Sequence, residues 1–283
     1  MMIEKHPFVK DLIKLALRED IGPKDITTDS IVDPKDIGNA KIIAKEDLIL
    51  AGISLFKEIL LELSQEMEFK QYYKDGDYIK SGNIICELKG PLHSILKGER
   101  TALNFLQRMS GIATITKKFV EKVYGTGVKI VDTRKTIPGW RILDKYAVRM
   151  GGGYNHRFGL FDGILIKDNH IKAIGSIRKA INMAKKKTHH LLKIEVEVEN
   201  IEELVEAIDS GADIVLLDNM NINMIKEAVR IAKGKIMLEA SGGVSLENVE
   251  EIAKTGVNFI SVGSITHSAK GVDISLELIR KGH

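Results

Sequence analysis

From residue 128 onward, short apolar runs alternate with helical patterns. The runs begin near Val128, Gly163, Leu191, Ala212, Lys235 and Val257, and helical periodicity marks Ser176–Lys186, Ile201–Asp209, Met224–Ala232 and Leu246–Lys254. The last four runs recur about every 22 residues, the length of one βα unit. Tandem βα units with buried strands imply an α/β fold with a parallel barrel. The runs number about six rather than eight, so the expectation is an incomplete barrel of about six to seven strands. Ahead of it the pattern is mixed. Pro7–Glu19 predicts an amphipathic helix with Phe8, Leu12, Leu15 and Ala16 inward, and Asp25–Asp29 a polar loop. Strands are predicted at Ala40–Ala44, Leu48–Ala51, Phe69–Tyr73 and Ile84–Leu88, and a helix at Ile53–Leu63. A long helix runs from about Ser94 to Val123, and its small residues Ser110–Thr114 would let another backbone approach. The predicted organisation is an N-terminal α+β sandwich domain over residues 1–107 and a barrel over 108–264. The remainder, 265–283, is a candidate to return to the first domain.

Composition narrows the class. With 283 residues, 44% of them hydrophobic, the chain can fill the cores of two domains. Net charge is +3 and aromatics are 5%, with no basic–aromatic alternation of the kind that binds nucleic acid. A single cysteine, Cys86, excludes an internal disulfide and a cysteine-rich zinc site, and fits a reducing compartment. The start, MMIEKHPFVKDLIK, lacks the apolar core of a signal peptide, and the run Leu48–Leu63 is broken by Lys57, Glu58 and Glu62. No membrane span is expected, and the location predicted is cytoplasmic.

Charge is instead concentrated locally. Thr133 to Lys167 carries Arg134, Lys135, Arg141, Lys145, Arg149, Arg157 and Lys167 against only Asp144 and Asp162. Such density suits ligands with several negative charges. Asp132-Thr133-Arg134-Lys135 follows the strand Val128–Val131, at the end where barrels place ligands. Leu143, Tyr146, Ala147 and Met150 mark a buried helical face. Arg141, Lys145 and Arg149 form a second stripe, either a solvated face relieved by Asp144 or a surface for an anion or another subunit. Gly151-Gly152-Gly153 implies unusual dihedrals or close backbone approach. His156 and Arg157 follow directly. His189-His190 sits after a lysine run and reads as surface.

Other strand ends add acids and small residues. The run IEVEVE, Ile194–Glu199, alternates apolar and acidic; Glu195 is expected to pair with a core lysine, and Glu197, nearer the strand end, to meet a cation or a ligand hydroxyl. Asp218 ends the next strand. Ser241-Gly242-Gly243 and Val262-Gly263-Ser264 form consecutive small-residue loops, where barrels commonly hold phosphate on backbone N–H groups. Three chemistries remain open on these residues: transfer involving a phosphorylated substrate, a Schiff-base lyase or isomerase using Lys167, and non-catalytic anion binding.

The stretches ERTALNFLQRMSGIAT (Glu99–Thr114), Val131–Arg141, GGGYNHR (Gly151–Arg157), LIKDNH (Leu165–His170), Ile194–Glu199, LLDNM (Leu216–Met220), Glu239–Gly243 and Ser261–Ser264 lie in order across both predicted domains. In them the chain resembles the quinolinate phosphoribosyltransferases, which join quinolinate to phosphoribosyl pyrophosphate (PRPP) with magnesium in NAD synthesis. The resemblance implies a homodimer whose sites lie between the barrel of one subunit and the first domain of the other. It implies that Thr133, Arg134, Lys135, His156, Arg157 and Lys167 bind quinolinate, joined by Arg100 from the neighbouring subunit. Lys135, Glu197 and Asp218 would be catalytic and would reach the phosphoribosyl donor, with Glu197 and Asp218 serving ribose hydroxyls and the Mg2+ shell. Ser241, Gly242, Gly243, Val262, Gly263 and Ser264 would cradle the 5′-phosphate. A relative taking a different dicarboxylate would share this architecture.

Overall fold

Residues 3–279 are described by the structure, a computed structural model. In chain order, α1 (Pro7–Ile21) and α2 (Ile26–Ile31) precede β1 (Ile37–Ala44), β2 (Leu48–Ile49), α3 (Ile53–Leu63), β3 (Glu68–Gln71), β4 (Tyr78–Ile79), β5 (Ile84–Pro91) and the long α4 (Leu92–Lys122). Then come β6 (Lys129–Val131), α5 (Arg141–Met150), β7 (Ile164–Ile166), α6 (Asp168–Ile174), α7 (Ile177–Lys187), β8 (Ile194–Val198), α8 (Ile201–Asp209) and β9 (Ile214–Asp218). The chain ends with α9 (Ile222–Ala232), β10 (Met237–Ser241), α10 (Val249–Ala253), β11 (Phe259–Ser261), α11 (Ser264–His267) and β12 (Ile274–Leu278).

The chain divides into two compact units. The first takes residues up to Lys117, the segment Ile137–Gly152 and the chain from Ser268 on; the second takes Lys118–Thr136 and Gly153–His267. The first unit therefore does not stop at residue 107, where α4 runs through unbroken. It also reclaims α5, which the sequence pattern places in the barrel. Its sheet has the order β12-β1-β5-β3, and β12 pairs antiparallel with β1, Ile42 opposite Leu276. Leu55, Phe56, Ile59 and Leu60 of α3 are fully buried. Cys86 is a free, buried thiol on β5, and burial pushes it up to about 12, so it stays neutral and unreactive.

Two helices of this unit depart from the sequence expectation. α1 buries Val9, Ile13 and Leu17, while Phe8 and Leu15 are 49% and 56% exposed. Apolar residues lie on so wide an arc of this helix that periodicity alone could not choose the stripe; packing chose the one turned by one residue. The Asp25–Asp29 stretch is no loop. Asp25 accepts from the Thr28 N–H at 3.0 Å and caps α2.

α5 belongs to the first unit through specific contacts. Trp140 stacks on Phe105 with centroids 4.5 Å apart, and the Tyr146 hydroxyl donates to Asp75 Oδ2 at 2.6 Å. Asp144 is fully buried against Arg108, 3.3 Å away, and its burial raises its pKa against the pull of that guanidinium. Lys145 is buried too, so Arg141, Lys145 and Arg149 do not form a solvated stripe relieved by Asp144. A Cβ on Gly151 would lie 2.4 Å from the Ala113 carbonyl of α4, and one on Gly111 would lie 2.0 Å from the Lys270 carbonyl. Close backbone approach, not ligand binding, accounts for glycine at both positions.

The second unit is the incomplete barrel. Six parallel strands follow the order β6-β11-β10-β9-β8-β7. β6 and β7 are not paired with each other; an isolated parallel bridge from Val131 to Tyr154 stands at that seam. The registers set side chains level with one another: Leu165 with Glu195, Glu197 with Leu216, and Asp218 with Ser241. Among the described residues, no helix is long and apolar enough to cross a membrane.

Candidate active site

The C-terminal strand ends surround a cavity of about 510 Å³. Thr133, Arg134, Lys135, His156, Arg157, Lys167, Glu197, Asp218, Ser241, Gly242 and Gly243 all line it, together with Leu165, Leu216, Asn219, Glu239 and Ser261. The structure thus gathers most of the residues singled out from sequence. Val262, Gly263 and Ser264, expected to cradle phosphate, do not line the cavity; a Cβ on Gly263 would come 3.1 Å from Lys135 Cδ. Arg100 is exposed on α4 in the first unit and does not line the cavity.

The cationic side is built at the ends of β6 and β7. Thr133 Oγ1 accepts the Lys135 N–H at 3.0 Å, and Thr266 donates its hydroxyl to the Lys135 carbonyl at 2.8 Å, which fixes the turn carrying Arg134 and Lys135. Arg157 Nη1 donates to the Gly163 carbonyl at 2.9 Å. Burial first, and then the nearby Arg134 guanidinium, lower the pKa of Arg157. Two guanidiniums in one partly desolvated wall disfavour each other, and a dianionic ligand would reverse that balance.

The acidic side lies next to β7, at the ends of β8 and β9. Lys167 Nζ donates to Glu197 Oε2 at 2.6 Å, with Lys167 45% exposed and Glu197 10%. Lys167 sits among arginines and is held by a carboxylate, which is not the apolar setting that favours a Schiff-base amine. Asp218 Oδ2 accepts from Asn219 Nδ2 at 2.9 Å. Asn219 has φ +53°, and its amide donates to the Ser241 carbonyl at 2.9 Å. Gly242 (φ +89°) and Gly243 (φ +61°) follow, and a Cβ on Gly242 would lie 2.2 Å from Asn219 Oδ1. Only glycine meets both demands there, and the result is a backbone cradle open to the cavity.

Beneath the mouth lies a second layer that the sequence did not announce. His156 Nε2 is 3.0 Å from Glu195 Oε2 and 3.8 Å from Glu239 Oε1. Glu195 and Glu239 are almost wholly buried. The expected core-lysine partner of Glu195 is wrong: its partner is His156, while the lysine at hand, Lys167, pairs with Glu197 one pleat nearer the mouth. Burial, and then the Glu195 carboxylate, push Glu239 up to about 7. Local sequence gives Glu239 no role because it sits inside an apolar run; the signal available is an acid in the middle of a strand, which needs a partner or a proton.

Comparison with known proteins places the chain in a family. Residues 112–277 match the family Quinolinate phosphoribosyl transferase, C-terminal domain, and residues 25–110 match Quinolinate phosphoribosyl transferase, N-terminal domain. The chain is 46% identical over 273 residues to the probable nicotinate-nucleotide pyrophosphorylase (carboxylating) of Bacillus subtilis (strain 168), spanning 96% of this chain and 94% of that one. It is 41% identical over 294 residues to a mitochondrial quinolinate phosphoribosyltransferase (decarboxylating) of Nicotiana tabacum, spanning 96% and 83%. The solved nicotinate-nucleotide pyrophosphorylase of Francisella tularensis superposes with a TM-score of 0.92 at 44% identity over 99% of both chains.

Proposed function

The chain belongs to the quinolinate phosphoribosyltransferase family, and we propose that the cavity at the barrel mouth is where it converts quinolinate and PRPP to nicotinate mononucleotide, pyrophosphate and carbon dioxide. One observation carries the assignment: Arg134, Arg157 and Lys167 share a single cavity with Glu197, Asp218 and the Ser241–Gly243 cradle. A dicarboxylate and a phosphorylated sugar each find matching groups there.

In this reading Arg134, Arg157 and Lys167 hold the two quinolinate carboxylates, with Thr133 and His156 completing the wall. Ser241, Gly242 and Gly243 hold the 5′-phosphate of PRPP, with Val262, Gly263 and Ser264 backing the turn around Lys135. The pyridine nitrogen lone pair forms the bond to C1′ as the C1′–oxygen bond breaks and its electron pair leaves on pyrophosphate. Positive charge develops on the ribose ring, and Glu197 and Asp218 stabilise it while orienting the ribose hydroxyls. Lys135 offsets the charge of the departing pyrophosphate. The C2–carboxylate bond then breaks, its electrons drawn into the pyridinium ring, and a proton replaces carbon dioxide at C2.

Magnesium fits the mouth and not the layer beneath it. Glu197 and Asp218 offer the carboxylate oxygens that Mg2+ takes through its water shell, alongside substrate phosphates. When bound, the ion neutralises charge on pyrophosphate. The trio His156, Glu195 and Glu239 has ligating atoms within 4.8 Å of one another, yet His156 Nδ1 already accepts the Arg157 N–H at 2.8 Å. The ring proton therefore sits on Nε2, where a metal would need the lone pair. We further propose a homodimer, with Arg100 of each subunit reaching the partner's site, and a cytoplasmic setting. The exposed position of Arg100 on α4 and the single buried thiol support these readings.

Turnover tests the assignment. Purified protein with quinolinate, PRPP and magnesium should release carbon dioxide and nicotinate mononucleotide in equal amounts, and neither without magnesium. Binding of PRPP with no turnover of quinolinate would leave the phosphate site standing and assign the cationic wall to another acceptor.

A further inference from the structure

Among the described residues, the trio of His156, Glu195 and Glu239 contains two buried carboxylates to which the proposed reaction gives no role. The two ring nitrogens of His156 can each be assigned from their partners. A neutral imidazole has one N–H and one lone pair. His156 Nδ1 faces the backbone N–H of Arg157 at 2.8 Å, so Nδ1 carries the lone pair. The proton is on Nε2 and is donated to Glu195 Oε2 at 3.0 Å. An imidazolium would set one N–H against another, and a metal at Nε2 would demand the opposite tautomer. The main chain of the same residue is pinned as well, because the His156 N–H donates to Asp132 Oδ1 at 2.9 Å and Asp132 is fully buried.

From this geometry we infer that Glu195 is a positioning residue for quinolinate. It acts through the His156 ring, which holds the Arg157 backbone and so aims the guanidinium across the cavity. The chain of contacts is continuous: Glu195 accepts from His156 Nε2–H, His156 Nδ1 accepts from the Arg157 N–H, and Arg157 Nη1 donates to the Gly163 carbonyl. Space enforces the same pose, since a Cβ on Gly163 would lie 3.3 Å from Arg157 Cβ. What position 195 must supply is an acceptor, not a charge. A glutamine carbonyl can take the same Nε2–H, and its amide can donate toward Glu239. A leucine can do neither. Arg157 serves the carboxylates of quinolinate and not the phosphates of PRPP, so disturbing it should weaken one substrate selectively. This inference rests on Arg157 binding quinolinate, as proposed above.

Steady-state kinetics with each substrate varied, on Glu195→Gln and Glu195→Leu, provide the test, together with a long-range 1H–15N spectrum of the His156 ring. The Gln variant should keep the quinolinate KM within about threefold of the parent, whereas the Leu variant should raise it about ten- to a hundredfold, with the PRPP KM nearly unmoved. The parent protein and the Gln variant should both show His156 as the Nε2–H tautomer. Equal rises in both KM values would reduce Glu195 to a general core residue and overturn the inference. So would an unchanged quinolinate KM in the Leu variant, or loss of quinolinate affinity in the Gln variant. The spectrum of the parent protein decides the matter even if the Leu variant does not fold, because an Nδ1–H ring or an imidazolium breaks the proposed chain. Arg157→Ala separates the two levels: if it leaves quinolinate KM intact, the assignment of Arg157 fails, whatever the ring shows.

Discussion

Glu195 and Glu197 leave the same strand on the same side, one pleat apart, and meet different fates. Glu197 reaches the mouth, where Lys167, 45% exposed, holds it at 2.6 Å. Glu195 stops a layer deeper, where its partner is the half-buried ring of His156 and its neighbour the buried Glu239. In the mouth a carboxylate is paired with a half-exposed cation that water and a ligand can reach. In the inner layer it is fixed by a hydrogen bond that water and ligand cannot easily reach. In the proposed assignment, depth along this strand separates the carboxylate that meets substrate from the carboxylate that holds the wall in place.

The largest expected effect falls on the mouth. Glu197→Ala should lower kcat by about a hundred- to a thousandfold, the usual range for removing one group aimed at developing charge. Carbon dioxide release under saturating substrates measures it. Lys167, left without its carboxylate, is exposed enough to be solvated, so the thermal midpoint should change little. If Glu195→Ala lowered kcat more than Glu197→Ala, the division between the layers would collapse.

The inner layer should reveal itself in stability and its pH dependence. Glu239 is raised from 4.5 to about 7 by burial and by Glu195. A carboxyl whose folded pKa is raised favours the fold while protonated. That contribution is complete below about 4.5 and is lost as pH rises through about 7. Glu239→Gln is neutral at every pH and avoids the loss. Its unfolding free energy from urea titration should match the parent near pH 4.5 and exceed it at pH 8, by on the order of 1–3 kcal/mol. A gain of the same size at both pH values would mean that packing, not protonation, sets the difference.

The mouth was legible in the sequence and the inner layer was not, for a physical reason. Arg134-Lys135 and Ser241-Gly242-Gly243 are contiguous runs at strand ends, His156-Arg157 follows a triple glycine, and strand ends are readable because buried βα units repeat. The parallel six-stranded arrangement followed from that same repeat. His156–Glu195 spans 39 residues and Glu239 lies on yet another strand, so nothing local records their meeting. The same limit applies to α5. Its charge pattern reads as a solvated or ligand-facing stripe, but Asp144 pairs with Arg108 across 36 residues and Lys145 is buried. α1 shows a subtler failure: local apolar content fixed the helix but not which side of a wide apolar arc would be covered.

The smallest effect concerns the Lys167–Glu197 ion pair itself, which joins the two proposed subsites. In the proposed assignment quinolinate needs Lys167 and the ribose of PRPP needs Glu197, yet each residue occupies the other at 2.6 Å. Whichever substrate binds first must part them, and the second then finds its residue already released. That is a positive coupling free energy, and linkage makes it equal in both directions. Mutual repulsion of two anionic ligands acts against it. Phthalate, a dicarboxylate without the nucleophilic nitrogen, isolates binding from turnover. Its affinity should rise about three- to tenfold when PRPP is saturating, within the usual range of such couplings. In Glu197→Gln the ion pair is gone and only the repulsion remains, so calorimetry should find the enhancement abolished or reversed. An enhancement that survives Glu197→Gln would show that the pair is a resting contact and that coupling between the subsites travels by another route.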